Sequence, residues 1–329
     1  MLPVMIAGMG TYLPEHVVTS AELERDWNLT PGWIMRVAGI RERRYATRET
    51  VAGMAAAAGR RALDAAGMTV SDIDLIIAAS SAPQQAIPCT AAFIQRELGA
   101  PEGASACFDV NATCLSFLFA MQSAAHLLAA GSYRAALVVS SEIGGLSRNP
   151  DDPASACLFG DAAAAAVLTR APEGGASRVL WAQFATYSGG ADLTSIPGGG
   201  SLHHPNDPAT TPEMNMFHMD GSGVFRRAAK VLGPFVDSFL ARAGWSHEDV
   251  DVVVPHQASR HGVDLVSTRL GFRPDQVVSN IAERGNCIAA SIPLALAESL
   301  DAGHIQRGQR VMLLGTGAGL TLGALGLVF

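Results

Sequence analysis

Three side chains in this sequence have types suited to carbonyl or thioester chemistry, and each stands where a chain usually changes direction. Cys114 lies in DVNATCLSF, shortly after the apolar run ACFDV and directly before LSFLFAMQSAAHLLAAG, whose spacing predicts a helix ending at Gly131. It therefore sits at a strand-to-helix junction. His256 follows the apolar strand pattern VVVP, and Asn286 stands in RGNCIAAS ahead of another helical stretch. Thiolate is the nucleophilic form of cysteine, and both a helix N-terminus and a nearby imidazole favour it. Taken singly, each residue has a plainer reading: a cysteine at a helix start is buried filler, a Pro-His pair is a hydrogen-bonded loop, and Asn beside Gly is a turn. Together they could serve several reactions, and spacing alone does not choose among them.

The elements that must position these residues are legible as a duplication. AGMTVSDIDLIIAASS (66–81) and AGWSHEDVDVVVPHQA (243–258) share an AG start, a polar stretch, D-[IV]-D and then an apolar strand, offset by 177 residues between Gly67 and Gly244. The helix ends AHLLAAG at Gly131 and AESLDAG at Gly303 repeat at an offset of 172, and YRAALVVSSE and GQRVMLLGTG lie at a similar separation. Three similarities in one order indicate a duplicated unit of roughly 170 residues. Two halves are expected, about 1–175 and 176–329. Adding 172 to position 114 lands on Asn286, so cysteine and asparagine are expected at equivalent junctions facing one central site. His256 lies just past a strand of the second half, where parallel sheets place their sites.

Strands such as DLIIAAS and ALVVSS alternate with helical stretches such as ETVAGMAAAAGRRALDAAG, which predicts an α/β fold with mostly parallel strands. Near-continuous apolar strands imply sheets covered on both faces, with helices between the two sheets. Residues 198–219, with GGG, HHPNDP and TTPEM, read as a long irregular insertion.

Composition excludes several classes. The 329 residues are 49% hydrophobic and 16% charged, enough for one large core or two fused ones. Five cysteines without CxxC spacing fit reduced thiols in a cytoplasmic protein. The N-terminal MLPVMIAGMGTYLPEH has no basic segment before its apolar stretch and reads as a first strand. A net charge of −7 argues against nucleic acid as the main partner. Residues 311–329 have the length of a membrane span, but GTGAG breaks them into two buried strands, so no membrane is expected. Gly8 and Gly10 lack the third glycine and the downstream acid of a dinucleotide site and read as a tight turn. His203, His204 and His218 have no regular ligand spacing, and no metal is expected. Arg226, Arg227 and Lys230 share one helical stretch and Arg260 and Arg269 another, while Arg36, Arg41, Arg43 and Arg44 crowd an early loop. Each cluster fits a docking patch or a solvated face.

DVNATCLSF, VPHQAS, RGNCIAASIPLAL, GIRERR and FGDAAAAAVL together resemble the β-ketoacyl-acyl-carrier-protein synthase III family of the thiolase superfamily, in that family's order from GMGTYLPE to GTGAGLTLGAL. The resemblance implies a duplicated thiolase-like fold, five-layered αβαβα, with two pseudo-twofold-related halves. It implies that Cys114 accepts an acyl group from a thioester, with acyl-CoA as donor, and that malonyl-acyl-carrier protein then enters. His256 and Asn286 would donate hydrogen bonds to the malonyl thioester carbonyl during decarboxylation, and the backbone N–H groups of Cys114 and Ala318 would hold the oxyanion of acyl transfer. Trp33, Arg36, Ser222, Phe225, Ala258 and Ser259 would line the coenzyme A and pantetheine tunnel. Arg226, Arg227, Arg260 and Arg269 would receive the acidic carrier protein, and Ile87 would floor the acyl pocket of a partner in a homodimer. No tightly bound cofactor is implied.

The chain departs from the family pattern at several of these positions. Pro153 stands where an arginine packs on adenine, Ser222 and Ser259 where asparagines are usual, His261 where an arginine is usual, and Ala318 where the family has glycine. Ile87 replaces a phenylalanine found in some members, which implies a deeper acyl pocket. Within the superfamily the runner-up is an acyltransferase of secondary metabolism that passes the acyl group to a hydroxyl or amine. A cysteine hydrolase would instead pair His256 with Cys114 and use Asn286 to orient the imidazole. A non-catalytic scaffold is the remaining alternative.

Overall fold

The computed structural model describes residues 1–329 and contains two principal sheets. The first is built from β1 (Val4–Tyr12), β2 (Leu75–Ala78), β3 (Ala106–Asp109), β4 (Ala135–Glu142) and β5 (Ala162–Arg170), in the order β1-β5-β4-β2-β3. The second comprises β6 (Arg178–Gly190), β7 (Val252–Pro255), β8 (Arg310–Gly317) and β9 (Gly319–Val328), in the order β7-β8-β9-β6. Read from the other end, β6-β9-β8-β7 repeats β1-β5-β4-β2. The counterpart of edge strand β3 is reduced to an isolated bridge between Val253 and Val277.

The expectation of mostly parallel strands is corrected. β2 pairs in parallel with β3 and β4, and β7 with β8, but β1, β5, β6 and β9 all pair antiparallel. The reason is connectivity: β8 turns back into β9 through Ala318 alone, too short for the crossover a parallel pair needs. The apolar residues 311–329 are thus two buried antiparallel strands, and no helix is long and apolar enough to cross a membrane.

Seven helices matter to the site: α1 (Trp33–Ala38), α2 (Val51–Ala66), α3 (Thr90–Leu98), α4 (Ser116–Ala129), α5 (Gly221–Ala243), α6 (Arg260–Arg269) and α7 (Ser291–Asp301). α2 and α3 cover the outer face of the first sheet, where Met54, Leu63 and Ile94 pack on Ile76, Leu137 and Val167. α5 and α6 cover the outer face of the second, with Phe235, Phe239 and Val266 on Met312 and Leu322. α4 and α7 lie between the sheets, where Phe117, Met121, Ile292 and Leu296 share one core with Leu75 and Ile77 on one side and Val254, Leu313 and Leu325 on the other. α4 carries apolar residues around most of its circumference because both of its faces meet a sheet. The layers run αβαβα.

The repeated D-[IV]-D has a physical explanation. Its first acid caps a 3-10 turn: Asp72 accepts from the Thr69 N–H, and Asp249 from the Ser246 N–H, each at 2.8 Å. Its second acid fastens the neighbouring strand: Asp74 accepts from the Arg134 N–H at 3.0 Å and Asp251 from the Arg310 N–H at 2.7 Å. The preceding AG closes a helix, since Gly67 and Gly244 end α2 and α5 at φ +63° and +70°.

Gly8 and Gly10 do not form a tight turn; both lie within β1. A side chain on Gly8 would come within 2.5 Å of the Ala62 carbonyl, and one on Gly10 within 2.4 Å of the Ala58 carbonyl. The glycines let the alanine-rich face of α2 lie directly on the strand. The early arginines form no single patch: Arg43 is fully buried, donating to Ser20 Oγ at 3.0 Å and to the Cys157 carbonyl at 2.9 Å, while Arg41 pairs with Glu283.

Candidate active site

A strained turn positions the cysteine. Beyond β3, Thr113 adopts φ +51°, a left-handed conformation that a β-branched residue rarely takes. Such strain persists only where neighbouring contacts over-determine it. Here Asn111 Oδ1 accepts from the Thr113 N–H at 3.0 Å, the Ala112 N–H donates to Ser116 Oγ at 2.9 Å, and Ser116 Oγ donates to the Thr113 carbonyl at 2.7 Å. A 3-10 turn over Thr113–Leu115 then feeds α4. Burial, followed by the charge of Glu142, pushes the Cys114 thiol up to about 12. The nearby backbone N–H groups of Cys114 and Ala318 and the Thr113 side chain pull the other way. Ala318 adopts no positive φ, so its place does not require glycine.

The second half repeats the turn. Ile288 also has φ +51°, Asn286 Oδ1 accepts from the Ile288 N–H at 2.9 Å, and a 3-10 turn over Ile288–Ala290 feeds α7. From Thr113 to Ile288 the offset is 175 residues, which makes Asn111 the counterpart of Asn286 and Ala289 the counterpart of Cys114. Cysteine and asparagine therefore share equivalent turns but not equivalent positions. The discrepancy with the offset of 172 at the helix ends arises because α7 has 11 residues where α4 has 14. With its oxygen committed to Ile288, Asn286 has its amide Nδ2 free to donate.

His256 extends the β7 ladder, its N–H donating to the Leu314 carbonyl at 2.8 Å. Burial holds its imidazole down at about 4, so the ring is neutral near pH 7. Nδ1 is buried without a partner. A proton there would be an orphaned donor, which assigns the proton to Nε2. Gly315 of β8 runs between the two turns: a methyl on it would lie 2.9 Å from Leu115 Cδ2 and 3.1 Å from His256 Cβ. Glycine thereby lets His256 approach the residue that follows Cys114.

His256 and Asn286 line a cavity of about 220 Å³ whose walls are mostly apolar. Val224, Phe225 and Ala228 of α5 face Gly262 of α6 and its N-cap Ser259 across it, with Ala258 beside them. Phe159 and Phe217 close another side, edge to face at 4.9 Å. Phe217 is held there by its N–H, which donates to the Ser147 carbonyl at 2.8 Å, so the irregular 198–219 segment supplies part of the wall. Cys114 is not on the cavity wall, and neither are Trp33, Arg36 or Ser222. Trp33 packs half-buried against the cluster around Ile34, Arg36 is exposed, and Ser222 donates to Asp220 at 2.9 Å. Pro153 opens a short helix, Pro153–Ala156, that lies beside α1.

Arg226, Arg227, Arg260, His261 and Arg269 are all exposed on α5 and α6, the helices that flank the cavity. They are not equally free. Arg260 is chelated by Asp264, Arg227 donates to the Gly189 carbonyl at 2.9 Å, and Arg226 donates to Ser222 Oγ at 3.1 Å. Arg269 makes no ion pair. Ile87 is 81% exposed on the single chain. Sequence reasoning missed Glu142, Asn111 and the Phe159–Phe217 pair. Glu142 had a signal: an acid closing the wholly buried run ALVVSSE is a charge where none is expected.

Comparison with known proteins agrees with this architecture. Residues 108–188 match the family model of 3-oxoacyl-[acyl-carrier-protein] synthase III, and residues 240–329 match that of its C-terminal part. The β-ketoacyl-[acyl-carrier-protein] synthase III of Symbiobacterium thermophilum is 39% identical over 329 residues, covering 99% of this chain and 98% of the relative. That of Desulfitobacterium hafniense is 37% identical over 325 residues, covering 98% and 97%. The crystal structure of 3-oxoacyl-[acyl-carrier-protein] synthase III from Aquifex aeolicus superposes with a TM-score of 0.90 at 32% identity, covering 99% of this chain and 100% of that one. A duplicated five-layered fold, paired strained turns and full-length similarity converge, and the chain belongs to the 3-oxoacyl-[acyl-carrier-protein] synthase III family.

Proposed function

We propose that this acyltransferase loads an acyl group from acyl-CoA onto Cys114 and condenses it with malonyl-acyl-carrier protein, giving 3-oxoacyl-carrier protein and carbon dioxide. The observation that carries the reading is a pair of neutral donors, His256 Nε2–H and Asn286 Nδ2–H, at the end of an apolar cavity beside the cysteine turn. In the first step the Cys114 sulfur bonds to the acyl carbon, the donor thioester breaks, and the thiol proton leaves on the departing thiol. The tetrahedral oxyanion faces the N–H groups of Cys114 and Ala318. In the second step His256 and Asn286 hold the malonyl thioester carbonyl as carbon dioxide departs. Fixed neutral dipoles in a water-poor site stabilise the enolate at no cost in reorganisation. The enolate carbon then attacks the acyl carbon, the bond from that carbon to the Cys114 sulfur breaks, and the departing thiolate takes a proton from solvent.

A hydrolase arrangement fits poorly, because Asn286 Oδ1 is bonded to Ile288 rather than to the imidazole and His256 Nδ1 has no partner. Both proposed steps balance with substrates alone, so neither calls for a tightly bound cofactor. The proposal includes the halves 1–175 and 176–329, carrier docking on Arg226, Arg227, Arg260 and Arg269, a cytoplasmic setting that keeps Cys114 reduced, and a homodimer that covers the exposed Ile87. The test is carbon dioxide release by acyl-loaded enzyme given malonyl-carrier: wild type should release it, and transfer of the acyl group to a hydroxyl or amine without such release would favour the runner-up activity.

A further inference from the structure

We propose that Arg43 is a positioning residue for Asn286: it fixes the segment 157–160, and that segment holds the Asn286 backbone where its amide can donate to the malonyl thioester. The proposal rests on the reading of Asn286 as a donor for decarboxylation. Asn286 forms an isolated parallel bridge with Phe159, its N–H donating to the Leu158 carbonyl at 2.7 Å and its carbonyl accepting from the Gly160 N–H at 3.1 Å. Arg43 lies on the short strand Glu42–Arg44 and is wholly buried. It donates to the Cys157 carbonyl at 2.9 Å, one residue before that bridge begins, and its other arm is anchored on Ser20 Oγ at 3.0 Å.

The duplication explains why Asn286 needs such a device. In the first half the chain reaches Asn111 along edge strand β3, and the Val110 N–H continues the ladder by donating to the Ala78 carbonyl at 2.8 Å. The second half lacks the counterpart of that strand. There the Gly285 N–H turns back on the Ile281 carbonyl at 3.0 Å, and Asn286 stands between Gly285 at φ +66° and Ile288 at φ +51°. Backbone in these regions persists only where surrounding contacts over-determine it. The contacts come from the early loop: the Arg41 N–H donates to the Ala282 carbonyl at 2.7 Å, and the Arg44 carbonyl accepts from the Asp161 N–H at 2.9 Å. Between these two, glycines let three chains close on one another. A side chain on Gly160 would run into the Arg284 carbonyl and lie 3.2 Å from Arg43 Cβ; one on Gly285 would lie 2.8 Å from the Leu158 carbonyl and 3.5 Å from Arg43 Cβ.

Packing alone does not account for the residue type. No carboxylate lies within ion-pair distance of the Arg43 guanidinium. A buried cation without one costs more than an apolar side chain of similar volume. What arginine adds is a planar fork that donates to two separate chains at once, which the compact ammonium of lysine does not match. Ser20 opens the helix Ser20–Asp26, so the fork ties that helix to the segment that carries the bridge. The Cys114 turn is held instead by Asn111 and Ser116. Loss of Arg43 should therefore reach decarboxylation and spare acylation.

The experiment is a double-mutant cycle between Arg43→Met and Asn286→Ala. It reads acylation of Cys114 by an acyl-CoA and, separately, carbon dioxide release per acyl-enzyme on adding malonyl-acyl-carrier protein. Arg43→Met should acylate within about twofold of wild type and release carbon dioxide roughly tenfold more slowly. Arg43→Lys, which keeps the charge but not the fork, should lose about threefold in release. In the Asn286→Ala background Arg43→Met should cost nothing further, since residues that act through one another are not additive. Equal slowing of both steps, wild-type release by Arg43→Met, or the full further loss in the Asn286→Ala background overturns the proposal. Should the arginine variants fail to fold, Ser20→Ala, which frees one arm of the fork, is read in the same cycle. About a threefold loss of release that vanishes in the Asn286→Ala background is expected, and wild-type release or a loss that persists overturns the proposal. Asn286→Ala alone separates the two claims, since wild-type release by that variant removes the reading of Asn286 itself.

Discussion

Asn111 and Asn286 perform the same task in the two halves: each Oδ1 accepts from the backbone N–H two residues ahead, Thr113 at 3.0 Å and Ile288 at 2.9 Å, and holds it at φ +51°. The two amides differ in what their nitrogens do. Asn111 Nδ2 is spent on the Ser81 carbonyl, whereas Asn286 Nδ2 is free beside the cavity. A duplicated turn has kept its brace in both copies and turned only one of them toward substrate.

The asymmetry separates two variants. Asn111→Ala should slow acylation of Cys114 by about tenfold and destabilise the fold by about 1 kcal/mol, because a cap is lost. Its carbon dioxide release per acyl-enzyme should change little. Asn286→Ala should acylate near the wild-type rate and lose release by roughly a hundredfold or more. Rapid-quench measurement of the two half-reactions checks both.

Gly315 is the second test. A methyl there meets Leu115 at 2.9 Å and His256 at 3.1 Å, closer than packed carbons tolerate. Gly315→Ala should lower thermal stability by about 1–3 kcal/mol and displace His256, so that malonyl decarboxylation falls more than acylation does. Calorimetry and the two half-reaction rates read this out.

Stability should depend on His256 and pH with a definite sign. The folded imidazole is held at about 4, below its ordinary 6.5. The unfolded chain therefore binds the proton first, and stability is lost as pH falls from 6.5 through 4. The full contribution is roughly 3 kcal/mol at about 1.4 kcal/mol per pH unit. Denaturant titrations of wild type and His256→Asn between these limits should show a steeper loss in the wild type.

On α5 and α6, Arg269, which makes no ion pair, should matter more for malonyl-carrier affinity than Arg260 and Arg227, which are tied to Asp264 and to the Gly189 carbonyl. Reversal of Arg226 and Arg269 to Glu should weaken binding by about tenfold at low salt, and the difference should shrink as ionic strength rises. Titration by fluorescence anisotropy at two salt concentrations is sufficient.

Much of this was legible in residue order. Periodicity and the repeated AG…D-[IV]-D marked the duplication, because capping and strand fastening need those side chains at those spacings. Cys114, His256 and Asn286 could be picked out because each follows or precedes an apolar run. The register error between Cys114 and Asn286 had a local cause, the three residues by which α7 is shorter than α4. Gly8 and Gly10 were misread because a glycine that admits a helix backbone looks, in sequence, like one that makes a turn. Glu142 is tied to Ser81, 61 positions away, and no local pattern announces a contact of that range.

The most direct measurement of the central claim is peptide mapping of the protein after incubation with an acyl-CoA series from short to medium chains, followed by addition of malonyl-acyl-carrier protein. The expected result is a single thioester on Cys114, best formed with a medium-chain donor, that disappears as one carbon dioxide and one 3-oxoacyl-carrier protein are made. An adduct on any other residue, or a Cys114 adduct that malonyl-carrier leaves in place, would contradict the account.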